Sequence, residues 1–420
     1  MTTSTSDRST VRSTDPGQGS ARRRGTRLLR RLAGPVPGGH WLVVYGLFVI
    51  GFLYWHRYGK PWTGDALYYT AMTYQYAGHS LEESLRLTGE YFNDPDIGRL
   101  RYGFEDPVIS PLIYPRVVYP AMSVPFVMLI GGHGMYVVPA LSAIFVIWGL
   151  MRLLSRLFTT GIALAVTSVF VLTFAFQEFG TGLYTESPTL AFMVGVLLML
   201  PLDGRRRFGL KEAVACSVLV VLVAFCRQSA PVLVSAVCGG WLWWMLRHRR
   251  VRGNPWHLPV AVLLPVGLAA TLFLQWWAPY DVVDWYVRVN GEPDARTAFA
   301  HFPQIFWKLT LTDAAQYFVR DAAMLGLWAA GMIACLARPL SVRTGMLIGS
   351  LGPSILIATL NSKPSSFRYY VPMYPILILA AAGLLYHLLV RPSATSAEPE
   401  PGLDEPEAQP DQLAGRPAPA

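Results

Sequence analysis

The sequence predicts an all-α polytopic membrane protein with about ten spanning helices, and three observations lead there. Hydrophobic residues make up 53% of the 420 and charged residues only 15%, whereas a soluble surface needs roughly 25% charged residues. Long apolar runs recur between short polar segments, and the mean hydropathy is +0.36. Lys and Arg stand in short clusters between those runs, so the net charge of +9 is a topology signal rather than a nucleic-acid footprint. The four cysteines (Cys216, Cys226, Cys238, Cys335) lie inside apolar runs with no CxxC pair, which excludes a disulfide scaffold and a zinc knuckle. Composition thus excludes a soluble enzyme, a nucleic-acid binder and a small secreted domain.

Residues 1–40 are rich in Ser, Thr, Gly and Arg, with Arg22, Arg23, Arg24, Arg27, Arg30 and Arg31 just ahead of the first apolar run. No small-residue cleavage site follows that run, so this segment reads as a disordered basic cytoplasmic tail rather than a signal peptide. The membrane domain is expected over 41–391. Its apolar runs are Trp41–Trp55, Met135–Leu153, Ile162–Phe176, Pro188–Leu202, Ala213–Cys226, Ala230–Leu246, Leu258–Ala278, Ala322–Ala337, Gly345–Leu360 and Val371–Val390. Several fall short of the ~20 residues a span needs, and flanking aromatic and basic residues extend them. Residues 392–420, rich in Pro, Ala and acids, read as a disordered cytoplasmic tail.

One further run, Val117–Gly131, carries Pro120 and Pro125. If it spanned, Arg152, Arg156, the 205–211 cluster, the 247–252 cluster, Arg338 and Arg343 would all face outward. As a juxtamembrane or re-entrant helix it returns them to the cytoplasm, as the positive-inside rule prefers. Ten spans with both ends inside follow. The outer segments are then a first loop over 57–134, a short loop Gln177–Ser187, a turn Arg227–Ser229, a second long loop over 279–321, and Asn361–Tyr370. Within the first loop two or three juxtamembrane helices are expected. Asp65–Ala77 starts on an Asp cap, and Ser80-Leu-Glu-Glu83 is a capping box.

Motifs of soluble enzymes are absent: no GxxxxGK[ST], no Rossmann fingerprint, no HExxH, no GxSxG. Gly131-Gly-His-Gly134 reads as a turn at a helix start. The candidate chemistry lies in the outer segments. Asp65, followed by Tyr68 and Tyr69, is either a plain helix cap or a general base whose pKa partial desolvation would raise; the two roles can coexist. Glu186, in Tyr184-Thr185-Glu186-Ser187-Pro188, is either a dipole-favoured first-turn acid or a second functional acid. Arg368 and Lys363, flanked by hydroxyls and by Tyr369, suit a phosphate held at the membrane surface, or else an interfacial anchor. Arg227 sits between two spans with almost no loop, so it demands a partner, either Glu186 or a lipid phosphate. Arg116 in Tyr114-Pro-Arg116-Val-Val-Tyr119-Pro120 is similar. His301, between aromatics in the second long loop, is either packed or a substrate contact.

Taken together, Gly64-Asp65, Tyr114-Pro-Arg116-Val-Val-Tyr119-Pro120, Tyr184-Thr185-Glu186-Ser187 and Phe367-Arg368-Tyr369-Tyr370-Val-Pro-Met-Tyr-Pro375 resemble the GT-C superfamily of polytopic glycosyltransferases. These enzymes use polyprenyl-phosphate-linked sugars. The resemblance covers most of 41–391 through short motifs whose order and shared membrane side carry it. It implies transfer of one sugar to a glycan, lipid or protein acceptor at the extracytoplasmic face. By the same resemblance Asp65 is the base for the acceptor hydroxyl, Glu186 a second acid, and Arg368 with Tyr369 the donor-phosphate ligands. Gly-Asp stands where a paired Asp-Glu is common in the protein-mannosylating branch, and a large C-terminal soluble domain is lacking. A divalent ion between Asp65 and Glu186 is one option, and no other cofactor is implied. The rival readings are a flippase or transporter of lipid-linked glycans and an inactive scaffold of the same fold.

Overall fold

The computed structural model describes residues 36–59, 64–204, 207–361 and 368–390, and among them every regular element is helical. Both expected tails lie almost wholly outside the described residues, as does Lys363. The first helix, α1 (Gly38–Tyr58), is followed by α2 (Gly64–Tyr76), α3 (Leu81–Phe92), and the short α4 (Leu100–Glu105) and α5 (Ser110–Ile113). Next come α6 (Val118–Ile130), α7 (Val137–Leu157), α8 (Thr160–Leu172), α9 (Phe174–Thr181), α10 (Glu186–Met199), α11 (Leu210–Arg227), α12 (Ala230–His248) and α13 (His257–Trp277). The last described elements are α14 (Val282–Asn290), α15 (Ala295–Ala300), α16 (Phe302–Arg320), α17 (Ala322–Ala337), α18 (Val342–Asn361) and α19 (Tyr374–Val390).

Among the described residues, six stretches are long and apolar enough to cross a bilayer: α1, Val118–Leu157, α12, α13, α18 and Arg368–Val390. The pair α8 and α9, bent by 73°, adds a seventh if counted as one, and α10 and α17 are shorter apolar helices. The 18 residues of α11 include Lys211, Glu212 and Arg227, which lower its apolar character. The protein is therefore an all-α chain with the helices of an integral membrane protein.

Val118–Leu157 is apolar for 40 residues but is not one rod. Gly131 adopts φ +63, which L side chains rarely reach, and a 3₁₀ turn over Gly131–Tyr136 follows. The Tyr119 hydroxyl donates to the Met135 carbonyl at 3.0 Å. In a continuous helix those positions would stand about 24 Å apart, so the chain doubles back along α6 before α7 begins. Gly134 makes this possible, since a Cβ there would lie 2.3 Å from the Phe126 backbone.

The tightest crossing joins α12 and α18. A Cβ on Gly239 would meet the Gly345 carbonyl oxygen at 2.1 Å, and one on Gly349 the Ser235 carbonyl oxygen at 2.2 Å. Small residues four apart on both helices let the backbones touch, the usual device where lipid gives no hydrophobic drive. Side-chain contacts then tie several turns together at one end of the bundle. Arg156 donates to the Leu198 carbonyl at 3.0 Å, Trp243 to the Pro339 carbonyl at 2.6 Å, and Arg343 lies over the Phe158 ring at 4.5 Å. The described basic clusters thus share one end.

At the opposite end, α2 packs against α3 and α6. Ser80 caps α3 by accepting from the Glu83 N–H at 3.2 Å, while the Glu83 carboxylate turns to Arg86 at 2.8 Å, so half of the expected capping box is used that way. The 279–321 segment is not an open loop: it folds into α14, α15 and the 19-residue α16. It is clamped to the first loop by Arg288, which donates to both Asp106 oxygens at 3.1 Å and to the Tyr102 hydroxyl at 2.5 Å.

Candidate functional site

Five segments from across the chain bring charged side chains to one place. Asp65 comes from the first turn of α2, Arg116 from the turn after α5, and Glu186 from the first residue of α10. Arg227 closes α11, and Arg368 opens the 3₁₀ turn before α19. Gln228 takes the left-handed conformation (φ +56), so the chain reverses immediately after Arg227 and holds it at the helix ends.

Arg368 is the bridge. Its Nη2 lies 2.8 Å from Asp65 Oδ2, and its Nε meets Glu186 Oε1. Arg227 Nη1 meets the same Glu186 oxygen. Arg116 Nη1 stands 3.6 Å from Asp65 and donates to the Tyr69 hydroxyl at 2.7 Å. Aromatic faces complete the shell: Arg368 lies over Tyr184 at 4.8 Å, and Arg227 over Tyr369 at 5.3 Å. The side chains of Glu186 and Arg227 are 0% and 5% exposed, whereas that of Asp65 is 37% exposed. Among the described residues in direct contact here, three guanidiniums face two carboxylates, an excess of one positive charge in a largely solvent-excluded place. Such a cluster is tolerable only while each charge keeps its partner.

The expected rise in the Asp65 pKa is overturned. Burial pushes the carboxyl up, but the guanidiniums of Arg368, Arg116 and Arg227 outweigh it and hold the value down to about 2. Burial raises the Tyr69 phenol instead, so it stays neutral beside Arg116.

A cavity of about 120 Å³ opens beside the cluster. Arg116, Arg227, Ser229, Tyr280, Asn361 and Tyr369 line its polar side, and Leu112, Val282, Ile357 and Leu360 its apolar side. Arg116 and Arg227 face this space, while Arg368 is committed to the two acids. The Arg116 Nε atom is buried with no hydrogen-bond partner among the described residues.

Of the sequence candidates, Asp65, Arg116, Tyr184, Glu186, Arg227, Arg368 and Tyr369 come together. Tyr68 lies at the edge of the cluster, its ring packed edge-on against Phe104 at 5.3 Å, while Tyr69, one residue on, accepts from Arg116. His301 is engaged elsewhere, with Nδ1 at 2.8 Å from Glu292. Tyr280 had no sequence signal beyond its place at the start of the second loop. The space between Asp65 and Glu186 is filled by the Arg368 guanidinium, and no group of three or more His, Cys, Asp or Glu gathers among the described residues. That donor set does not fit a divalent ion.

No family model, no curated protein and no solved structure matches this chain.

Proposed function

We propose that this chain is a GT-C-type membrane glycosyltransferase that moves a sugar from a polyprenyl-phosphate donor to an acceptor hydroxyl. The bundle would have ten spans, both termini in the cytoplasm, and the charged cluster at the extracytoplasmic face. The observation that carries this reading is the surplus guanidinium charge beside a half-apolar cavity at the ends of apolar helices. A phosphate on a lipid tail has both the charge and the grease to fit there.

In the proposed reaction the acceptor oxygen forms a bond to the anomeric carbon of the donor. The bond from that carbon to the phosphate oxygen breaks, and its electron pair leaves with the phosphate. Arg116 and Arg227 would stabilise the departing charge, and the acceptor proton would pass to Asp65. A carboxylate held at about 2 is a weak base, and donor binding would correct this. A phosphate sharing the guanidiniums draws them from Asp65, lifting its affinity for a proton at the moment it is needed. Arg368, bound to both acids, would position them rather than touch the donor. Glu186, fully enclosed, would hold Arg227 and Arg368 in register.

The test is a mass-spectrometric comparison of lipid-linked sugars and cell-envelope glycans from cells with and without the protein. Accumulation of one lipid-linked sugar with loss of one glycan residue is expected; unchanged envelope glycans would overturn the reading. A second reading, a flippase for lipid-linked glycans, draws on the enclosed Glu186–Arg227 pair, since deep charges mark transport paths. It predicts that the lipid-linked glycan remains chemically complete but stays on the inner leaflet.

A further inference from the structure

A second cavity lies at the other end of the same helices and has no part in the proposed transfer. It measures about 240 Å³ and is lined by Arg247, Ala337, Arg338, Pro339, Leu340 and Ser341. Arg247 comes from the end of α12, and the others from the end of α17 and the turn into α18. The site cavity is lined at Ser229, just before α12, and at Asn361, the last residue of α18. With 19 and 20 residues in those helices, the two cavities stand about 28–30 Å apart, the thickness of a hydrocarbon core.

The lining joins two guanidiniums to a hydroxyl and apolar walls. The turn is fixed from outside, because Trp243 donates to the Pro339 carbonyl at 2.6 Å and Ser341 accepts from the Thr344 N–H at 3.1 Å. Arg343, the second residue of α18, adds a third guanidinium whose flat face is taken by Phe158 at 4.5 Å. Apolar side chains stand exposed beside the mouth: Leu336 is 82% exposed, with Leu246 and Leu340 also open. A lipid uses both the arginines and these leucines, setting its headgroup on the charges and its acyl chains along the leucines.

We propose that this cavity binds the phosphodiester headgroup of an anionic membrane lipid, with Arg247 and Arg338 as its ligands. The site is independent of the transfer reaction and is built on the opposite membrane face.

The experiment uses the full-length chain purified in detergent, with native mass spectrometry reading bound phosphatidylglycerol against phosphatidylcholine. Phosphatidylglycerol should be retained preferentially, and the double variant Arg247→Gln, Arg338→Gln should lose about 30-fold in affinity, from about one charge interaction per arginine. The charge-conserving pair Arg247→Lys, Arg338→Lys should keep most of it. Raising salt should weaken binding to the unaltered chain, which keeps the test decisive if the glutamine variant does not fold. Equal retention of the two lipids, or an unchanged double variant, would overturn the proposal. Displacement of the lipid by inorganic phosphate alone would assign the cavity to a free anion and overturn the headgroup.

Discussion

Glu186 shows how the cluster stores its stability. One carboxylate oxygen receives both Arg227 and Arg368, and the other accepts from the Thr185 hydroxyl at 3.2 Å. Glu186→Gln leaves two guanidiniums around a neutral, fully buried amide, and breaking a buried pair costs about 3–5 kcal/mol. Thermal unfolding in detergent should show that loss; a melting temperature equal to that of the unaltered chain would mean the guanidiniums find other partners. Asp65 makes the complementary prediction with pH. Its folded pKa is depressed from 3.8 to about 2, so its stabilising contribution is complete above the unfolded value and lost as pH falls through the folded one. The stability gap between the unaltered chain and Asp65→Asn should stay constant from neutral pH to about 4, then close between about 4 and 2. Closure near pH 6 would show that the arginines are not its partners. The sequence named most of these residues, because a charge between two apolar runs is conspicuous. It misjudged the Asp65 shift because the opposing charges come from positions 116, 227 and 368, and no local pattern links them. Helix phase alone does not separate Tyr68 from Tyr69: positions three and four after Asp65 both lie on its helix face, and packing places Tyr68 against Phe104 and Tyr69 against Arg116.

At the scale of elements, the α12–α18 crossing depends on what glycine lacks. Gly349 and Gly352 lie on one helix, yet only the first meets a neighbour: its Cβ would fall 2.2 Å from the Ser235 carbonyl, whereas Gly352 has open space. Gly349→Ala should therefore destabilise by about 1–3 kcal/mol through overpacking, while Gly352→Ala should be neutral or stabilise by up to about 1 kcal/mol from helix propensity. Paired melting curves in detergent check both, and equal shifts would refute the close crossing. The helices themselves were legible, since each expected run from Trp41 to Val390 falls mostly on a helix or on the bent α8–α9 pair. The 279–321 segment is long enough to carry structure, but the sequence did not show which. Its helices α14 and α16 carry Asp, Lys and Arg among their apolar residues, so hydropathy alone shows a loop. The Asp106–Arg288 clamp spans 182 residues and belongs to tertiary packing alone.

For the whole molecule, the question is whether its two chemically different ends face two compartments. One end gathers a mixed cluster of acids and bases around a cavity, beneath two folded loops pinned together by Arg288. The other collects the described arginines of several short turns, and Arg343 and Arg156 there reach across to Phe158 and Leu198. Such a division follows when basic residues are kept on the side of synthesis, and it would place a lipid-phosphate reaction on the far side. Single cysteines at exposed positions test this directly. Glu82, 79% exposed on α3, reports the first end, and Arg249, just past α12, the second. In intact cells an impermeant maleimide should label Glu82→Cys and spare Arg249→Cys until the membrane is opened. The reverse pattern would turn the protein over and put the proposed transfer in the cytoplasm. Labelling of both from one side would break the two-ended bundle, and with it the separation of about 28 Å that α12 imposes between the two cavities.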